Sequence, residues 1–381
     1  MSSIDNRKTS IKVLITGPSF EESGGVANYL SILTPKLGDN ITYFVLGSRE
    51  GSRKGSTQIQ RFLMDYVRYV KILRNDSIDL VHSNPSLNPA GLIRDSIFIL
   101  LAYLYKKKTF VFFHGWHVDF AKKCGHFPWR LFLKFLLKAD ASAVLANEFK
   151  QVLKSWDYER PVYLETTFVD KDLFAFIEQS KNDNNNSTKQ KKPVILFLSR
   201  LERKKGIFET IETCRILKRS YPDLQLIVAG NGSVEKEVRD FCAGITWIQF
   251  PGYISGVDKY RVYQRADLYL FPTYYPEGMP TSVLEAMAAG LPVVTRPVAG
   301  LADFFDAGKM GALTDSLEPK VLAGECDRLL SSPTKMVEVG HYNSDYARKH
   351  FLAENVAKRL RKIYKEVAKI NENASLQEAN K

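Results

Sequence analysis

Short apolar runs alternate with longer segments of helical spacing along the first half of the chain. The apolar runs end in small or polar residues, as buried parallel strands do, and they cover 11–17, 41–47, 78–84, 109–115 and 141–147. The segments between them, such as 26–37 and 128–138, have apolar residues at helical intervals. This alternation predicts an α/β domain in which helices cover both faces of a parallel sheet.

A second alternating series follows a polar, asparagine-rich segment at 179–192. We interpret that segment as a linker or loop between an N-terminal domain at 1–178 and a C-terminal domain at 193–345, and we predict a helical tail at 346–381. Open parallel sheets bind ligands at the carboxyl ends of their strands. Two such domains that face each other would enclose a cleft, and the loops after the strands are where chemistry is expected.

The length of the chain supports two domains, because 381 residues that are 45% apolar exceed one ordinary hydrophobic core. The start has no signal-peptide pattern, and the apolar run at 97–105 is far short of the ~20 residues that span a bilayer. The four cysteines lie far apart without a CxxC pair, which favours reduced thiols over a disulfide frame or a zinc site. These features predict a soluble, cytoplasmic protein.

The formal net charge of +12 favours a polyanionic partner, such as a membrane surface, a nucleic acid or a phosphorylated substrate. Positive charge is concentrated at 106–138, where Asp119 is the only acid. The segment 127–138 fits a basic amphipathic helix at a bilayer surface and, equally well, a core helix packed on the sheet. A nucleic-acid partner is not expected, because no base-stacking or groove-reading motif is present.

The richest candidate segment is 266–297, in which a predicted strand leads through a Pro- and Gly-rich loop into a helix predicted at 282–290. N–H groups at the start of a helix suit a phosphate, and the loop before it adds those of Gly278, Met279 and Thr281. Pro280, which has no N–H group, completes the predicted donor-binding segment. An alternative is that Ser282 and Glu285 form a capping box, since S-x-x-E is its spacing. That alternative does not explain Glu277, an acid within the loop.

The sequence PEGMPTSVLEAMAAGLPVV resembles the E-x7-E segment of the group 1 (family 4) glycosyltransferases. The resemblance extends over most of the chain and implies a retaining, metal-independent enzyme of the GT-B fold. That fold has two Rossmann-like domains facing across a cleft and a C-terminal helix that returns to the first domain. By the same resemblance, Glu277 holds the donor sugar at its hydroxyls and Glu285 binds the ribose of the nucleotide.

Two cations follow the first predicted strand of the second domain. Arg200 lies at the strand end and Lys205 directly precedes a glycine, as in the family that this segment resembles. Charge-assisted contacts to a departing nucleoside diphosphate lower the barrier, so these two side chains are candidates to replace a metal. A run such as 203–205 is otherwise typical of solvated surface.

Four further positions in the second domain resemble family segments that contact the nucleotide: Gly230, Gly232, Gly252 and Tyr253. The glycines are weak signals, because such residues more often form tight turns. In the first domain, Gly24 and Gly25 leave the start of a helix open to a ligand. They match the family's Gly-Gly loop and predict contact with diphosphate or acceptor, and a flexible loop is the alternative.

His114 ends a predicted strand and is followed by glycine. A lone histidine in an apolar setting is more often structural, but the resemblance implies contact with the donor sugar. The family commonly has Asn-Gly-Val-Asp where this chain has Thr167 to Asp170, which puts the local turn in doubt. Asp170 and Asp172 spell DxD, the metal signature of another glycosyltransferase fold, but we assign no metal and no cofactor to this short match.

The sequence therefore predicts a retaining hexosyl transfer from a nucleotide sugar to a glycan or a polyprenyl- or lipid-linked acceptor. Such an enzyme would serve cell-surface polysaccharide or glycolipid synthesis at the inner face of the cytoplasmic membrane. A nucleotide-sugar 2-epimerase or a phosphorylase on the same architecture is an alternative. A non-catalytic module that binds nucleotide sugar or nucleic acid is another.

Overall fold

The computed structural model describes residues 11–22, 24–47, 58–74, 77–183, 192–276 and 278–378. The described residues form two compact units. The first unit contains those up to Thr166 and those from Ala353 onward, and the second unit is Thr167–Leu352.

The elements alternate as the hydrophobic pattern predicts. The strands are β1 Val13–Gly17, β2 Ile41–Val45, β3 Leu80–Ser83, β4 Ser86–Leu87, β5 Lys108–Phe113, β6 Gly115–Trp116, β7 Ala141–Val144, β8 Val162–Leu164, β9 Val194–Leu198, β10 Gln225–Ala229, β11 Ile248–Gly252, β12 Leu268–Phe271, β13 Val293–Thr295 and β14 Gly311–Leu313. The helices are α1 Gly25–Leu33, α2 Gln58–Leu73, α3 Pro89–Leu104, α4 Val118–Cys124, α5 Trp129–Leu136, α6 Asn147–Ser155, α7 Lys171–Asp183, α8 Ile207–Leu217, α9 Glu235–Phe241, α10 Gly256–Arg265, α11 Thr281–Ala288, α12 Gly300–Phe304, α13 Pro319–Leu330, α14 Pro333–Phe351 and α15 Ala353–Glu378.

The first unit is built on a parallel sheet with the strand order β2-β1-β3-β5-β7-β8. The strand order reverses direction between β1 and β3, which pair with Ile15 opposite His82. Strands β1, β3 and β7 are buried along their whole length, as expected where helices cover both faces of a sheet. Helix α15 contributes Val356, Leu360 and Val367 to the buried side chains of this unit.

The second unit has a parallel sheet with the order β11-β10-β9-β12-β13-β14. Numbered within the unit, this is 3-2-1-4-5-6, the order of the Rossmann fold. The order of the strands across the sheet reverses between β9 and β12, which are parallel and pair with Leu196 opposite Tyr269. The predicted fold class, two Rossmann-like parallel-sheet domains, is thus confirmed.

The division between the units lies at Thr166 and Thr167, and not at the segment 179–192 that the sequence suggested as the boundary. Helix α7 precedes most of that polar segment, and its residues Leu173, Phe174 and Ile177 are buried in the core of the second unit. The apolar face of α7 therefore fixes the division upstream of the helix. Residues 184–191 of the proposed linker lie outside the described residues.

The C-terminal tail departs from the predicted single helix that begins near residue 346. Helix α14 ends at Phe351 and α15 begins at Ala353, and the unit boundary coincides with this break. The backbone N–H of Val169 donates to the carbonyl of Phe351 at 2.8 Å. The chain therefore enters and leaves the second unit along adjacent segments. Helix α15 belongs to the first unit, as the predicted returning helix does. Among the described residues, no helix is both long and apolar enough to cross a bilayer.

Candidate active site

The loops after β9 and β12 meet at the carboxyl edge of the second sheet, where its strand order reverses. Ligands of open α/β sheets bind at this kind of position. A 3-10 turn over Arg203–Lys205 follows β9 and ends at Gly206, whose φ of 84° is left-handed. A Cβ at Gly206 would lie 2.6 Å from the carbonyl oxygen of Pro272, so only glycine allows the two loops to pack this closely.

The loops position Lys205 and Arg200 around one aromatic ring. Lys205 is only 5% exposed, and its Nζ lies 4.4 Å from the ring centroid of Tyr275. Arg200 is exposed, and its Cζ lies 5.6 Å from the same centroid. Tyr275 was missed by the sequence analysis, and its only local signal is an aromatic residue shortly after a strand end.

The other basic residues of this turn have different surroundings. Arg203 forms an ion pair with Glu237 and lies over the ring of Phe208 at 4.5 Å. The carbonyl of Lys204 accepts from the backbone N–H of Tyr274 at 2.9 Å, which joins the two loops. Arg203 is thus engaged at the surface, as expected for part of this basic run.

Helix α11 begins at Thr281, one residue before the predicted start, and its N-cap is Pro280 without a side-chain cap hydrogen bond. Met279 packs against the core of the unit, while Thr281 is exposed. The carbonyl of Gly278 accepts from the N–H of Gly300 at 3.2 Å. Glu277, the most specific prediction from the sequence, lies outside the described residues.

The capping-box interpretation of Glu285 is wrong, because its carboxylate is engaged by side chains of α10. Lys259 Nζ lies 2.5 Å from Oε1, and the Tyr263 hydroxyl donates to Oε2 at 3.0 Å. Ser282 does not cap either, since its Oγ is hydrogen-bonded to the Tyr269 hydroxyl at 2.7 Å. The sequence analysis missed Lys259 and Tyr263, since neither lies in a motif with Glu285.

Gly230 and Gly232 follow β10 and pack against the loop after β9. A Cβ at Gly230, where φ is 133°, would lie 1.9 Å from the Ser199 carbonyl oxygen. A Cβ at Gly232 would lie 2.4 Å from the carbonyl oxygen of Leu201. Close backbone packing therefore requires both glycines, and their contact with a nucleotide stays a prediction.

Gly252 and Tyr253 end β11 at the same edge of the sheet. The carbonyl of Gly252 accepts from the N–H of Gly230 at 2.8 Å. Tyr253 is 71% exposed. Their predicted contact with the nucleotide base also remains a prediction, and the exposure of Tyr253 leaves its ring accessible.

In the first unit, Gly24 and Gly25 form the start of α1 after β1. A Cβ at either position would meet nothing within 4 Å, and the φ of 168° at Gly24 is extended backbone that other residues adopt. The packing of the described residues thus does not require glycine here. This absence of a packing role is consistent with the predicted approach of a ligand to the backbone.

His114 follows β5 and is held by Asn84, which follows β3. The Asn84 amide nitrogen donates to the carbonyl of Thr16 at 3.1 Å, and so its Oδ1 faces His114 Nε2 at 2.9 Å. Nε2–H is therefore the donor. The rings of Tyr29 and Phe112, centred 4.5 and 4.1 Å from the imidazole, flank it, and the residue is half-buried.

The surroundings of His114 keep it uncharged. Burial lowers the pKa of His114 to about 3, and it lowers the pKa of His82 to about 3 with a further contribution from His114. His82 Nδ1 lies 2.6 Å from the hydroxyl of Tyr364 on α15. A neutral imidazole at His114 can contact a sugar hydroxyl but carries no charge for a phosphate near pH 7.

A buried ion pair lies after β8 in the same unit. Glu165 is 6% exposed, and it accepts from Arg359 Nε and Nη2 at 3.0 Å. Burial raises the pKa of Glu165, and hydrogen bonding to Arg359 opposes that rise. No local sequence pattern predicts this pair, because its members lie in segments far apart along the chain.

Helix α5 packs one side on the first unit, as the core-helix interpretation of segment 127–138 expects, and contact of its other side with a bilayer stays a prediction. Leu133 and Leu136 are buried, and the hydroxyl of Ser96 on α3 donates to the carbonyl of Phe132 at 2.7 Å. The opposite side carries exposed cations and apolar side chains. Phe127 is 87% exposed and Leu131 is 48% exposed.

The DxD match is a local helix-capping arrangement. The backbone N–H of Asp172 donates to Asp170 Oδ1 at 3.1 Å at the start of α7. In the described part of the chain, no group of three or more His, Cys, Asp or Glu side chains is placed to hold a metal ion.

Comparison with known proteins places residues 178–350 within a family model described as glycosyl transferases group 1. The chain is 27% identical over 192 residues to spore coat protein SA of Bacillus subtilis, covering 45% of this chain and 48% of that protein. It is 32% identical over 177 residues to an uncharacterized glycosyltransferase of Methanocaldococcus jannaschii, covering 45% and 44%. The chain thus matches about half the length of these curated relatives.

Solved structures of similar fold cover nearly the whole chain. Anabaena HepE in complex with UDP and glucose has a TM-score of 0.67 at 17% identity, covering 93% of this chain and 100% of that one. A glycosyltransferase from Rickettsia africae has a TM-score of 0.70 at 17% identity, covering 95% and 100%. At these identities the likeness shows the fold alone.

Proposed function

We propose that this chain, whose residues 178–350 match a family model of group 1 glycosyl transferases, transfers a hexosyl group from a nucleotide sugar. The acceptor is a glycan or a lipid-linked glycan, and the configuration at the anomeric carbon is retained. Curated relatives include the amylovoran biosynthesis glycosyltransferase AmsK of Erwinia amylovora, which is 29% identical over 153 residues, 38% of each chain. That similarity supports a role in polysaccharide synthesis.

The observation that carries the proposal is the pair of cations at the edge where the second sheet reverses its order. Lys205 and Arg200 lie over the Tyr275 ring at 4.4 and 5.6 Å, and α11 begins in the adjoining loop. Two cations and the N–H groups at the start of a helix suit a diphosphate. An anionic leaving group is thereby stabilised as it forms, so the proposal includes no metal cofactor.

In the proposed reaction, the acceptor oxygen forms a bond to the anomeric carbon while the bond to the diphosphate oxygen breaks. The proton of the acceptor hydroxyl passes to the departing diphosphate. Attack on the same face that the leaving group vacates accounts for retention. Arg200 and Lys205 stabilise the diphosphate, Glu277 holds the hydroxyls of the donor sugar, and neutral His114 contacts that sugar.

A donor panel tests the proposed function. The unaltered protein is incubated with UDP-, GDP- and ADP-sugars, and release of nucleoside diphosphate is measured with and without a membrane extract as acceptor source. We expect release from one nucleotide class, and its loss in Lys205→Ala but not in Lys236→Ala, whose lysine forms a 2.6 Å exposed ion pair with Asp240. No release from any donor would contradict the proposal, and an epimerised sugar nucleotide without acceptor would favour the 2-epimerase alternative.

We also propose that an anionic membrane surface holds the acceptor. The support is a basic apolar surface, which we define as Lys122, Lys123, Phe127, Arg130, Leu131 and Lys134. All six residues are exposed. Each cation near an anionic bilayer contributes about 1 kcal/mol, and the two apolar side chains add burial in the interface. The protein would then act at the inner face of the cytoplasmic membrane.

Flotation with vesicles tests the basic apolar surface. We expect the protein to float with vesicles that contain anionic phosphatidylglycerol and to stay in the lower fraction with neutral phosphatidylcholine. Phe127→Ser combined with Lys123→Glu should abolish flotation, whereas Val337→Ser, which alters a side chain that is 59% exposed in the second unit, should not. Equal flotation of both variants would contradict the assignment of this surface.

A further inference from the structure

We propose that Lys259 is a positioning residue that, through Glu285, makes nucleotide affinity depend on the ribose hydroxyls. The inference rests on the proposed function, because Glu285 is the predicted ribose ligand. It assigns a role to a lysine that belongs to no motif of the sequence. Glu285 is only 9% exposed, and a fixed orientation of its carboxylate would let it bind a ligand from this buried position.

The first observation is the position of the pair within the sheet. Lys259 lies in the first turn of α10, which follows β11, and Glu285 lies in α11, which follows β12. In a parallel sheet, the helices that follow strands begin at the carboxyl edge. The ion pair therefore lies on the edge where Lys205 and Arg200 are found, and it connects two of the helices that start there.

The second observation is that each carboxylate oxygen of Glu285 has its own donor. Lys259 Nζ lies 2.5 Å from Oε1, and the Tyr263 hydroxyl lies 3.0 Å from Oε2. A carboxylate has about four acceptor positions, so two donors fix its plane and leave acceptor positions for two hydroxyls. A ribose diol supplies two such donors.

The support beneath the carboxylate is itself held by hydrogen bonds. The Tyr263 hydroxyl also lies 3.1 Å from the Ser282 carbonyl. The Tyr269 hydroxyl donates to the Leu198 carbonyl at 2.9 Å and lies 2.7 Å from Ser282 Oγ. Tyr263 and Tyr269 are fully buried. Burial raises the pKa of Tyr263 well above its usual value, so its hydroxyl keeps its proton and remains a donor.

The exposure of the pair separates it from the ordinary surface ion pairs of this unit. The side chains of Lys259 and Glu285 are 25% and 12% exposed, whereas those of Lys236 and Asp240 are 90% and 64% exposed. A screened surface pair contributes little. A half-buried pair must offset the desolvation of both charges, and a ligand-orienting role gives a reason to retain it.

The alternative is that Lys259 merely fastens α10 to α11. In that case, Lys259→Met would lower the thermal unfolding temperature and weaken all nucleotides equally. A positioning role predicts a change that depends on the ribose hydroxyls, and this difference is what the experiment measures.

The test measures dissociation constants by calorimetry for UDP, GDP and ADP and for their 2′-deoxy and 3′-deoxy counterparts. For the ribonucleotide that binds best, we expect the unaltered protein to prefer it over its deoxy forms by about tenfold, the effect of one charge-assisted hydrogen bond. Lys259→Met should reduce this preference to about twofold or less, and Lys259→Arg should restore most of it. Tyr263→Phe should reduce it in the same direction.

Two controls separate the possible results. Lys236→Met removes an exposed ion pair of the same unit and should leave the preference unchanged. Lys205→Ala should weaken ribonucleotide and deoxynucleotide alike, since it acts on the diphosphate. An unchanged preference in Lys259→Met would overturn this inference while leaving the proposed function intact. Failure of all three nucleotides to bind the unaltered protein would overturn both.

Discussion

The predicted site residues of the first unit are uncharged near pH 7, whereas those of the second unit include cations and carboxylates. In the first unit, His114 has a pKa lowered to about 3 by burial, and Gly24 and Gly25 offer only backbone. In the second unit, Lys205 and Arg200 lie over one tyrosine ring. The predicted site residues of both units lie at carboxyl ends of parallel strands. The two units thus place different chemical groups at equivalent positions of a similar fold.

This difference agrees with the extent of the family match. Residues 178–350 match the family model, and all of that range belongs to the second unit. A diphosphate has the same charge in every donor, so the residues that bind it can follow a common pattern. Under the proposed function, the second unit carries the donor chemistry.

The largest expected effect comes from the charged residues of the second unit. Glu277→Ala and Lys205→Ala should each lower kcat/KM at least about a hundredfold, because each removes a group that acts on the reacting donor. Activity is measured with the donor that the panel identifies, and circular dichroism checks the fold. Because Lys205 is only 5% exposed, the thermal unfolding of the Lys205→Ala variant is also compared with that of the unaltered protein. Full activity in both variants would remove the basis for the donor site.

A smaller loss is expected from the backbone of the first unit. Gly24→Val should lower kcat/KM about tenfold, which corresponds to ~1.4 kcal/mol, because the new side chain would occupy the space of a ligand. The unfolding temperature should hardly change, since nothing lies within 4 Å of the added Cβ. Gly125→Val, which also meets open space, is the control. Equal activity of the two variants would favour the flexible-loop alternative.

The pH dependence of stability tests whether His82 and His114 are uncharged in the folded first unit. His82 and His114 have folded pKa values of about 3, below the usual 6.5, so the unfolded chain binds more protons between these values. The free energy of unfolding should therefore fall as pH drops below 6.5, by up to ~1.4 kcal/mol per pH unit for each histidine. Urea unfolding at pH 7 and 5.5 measures this slope.

The variant His114→Gln isolates one histidine in that experiment. Its slope between pH 7 and 5.5 should be shallower than that of the unaltered protein, whatever the other titrating groups contribute. Glu165 contributes in the opposite sense, because burial raises its pKa, and the comparison of variants removes that contribution. Identical slopes would mean that His114 is protonated in the folded state.

The smallest expected effect is that of metal removal. If two cations of the second unit stabilise the diphosphate, EDTA should change the transfer rate by no more than about twofold. The measurement uses the identified donor, and added Mg²⁺ or Mn²⁺ provides the comparison. A large loss that either ion restores would mean that the cations do not suffice, and it would return Asp170 and Asp172 to consideration.

The sequence by itself determined the repeating strand and helix pattern, because burial of parallel strands imposes a local rhythm of apolar residues. It also placed Arg200 and Lys205 after a strand and Glu285 within a helix, since strand ends and helix starts have local signals. The spacing of Glu277 and Glu285 carried the family resemblance. All of these depend on residues close together in the chain.

Only the tertiary structure decided which side chains those residues meet. Lys259 lies 26 positions from Glu285, yet it contacts Oε1 at 2.5 Å. Tyr275 lies beneath two cations that are 70 and 75 positions earlier. The neutrality of His114 depends on rings from α1 and β5, and the unit boundary depends on where α7 packs. Such contacts depend on how the elements pack around the sheet, for which the local pattern of the chain carries no signal.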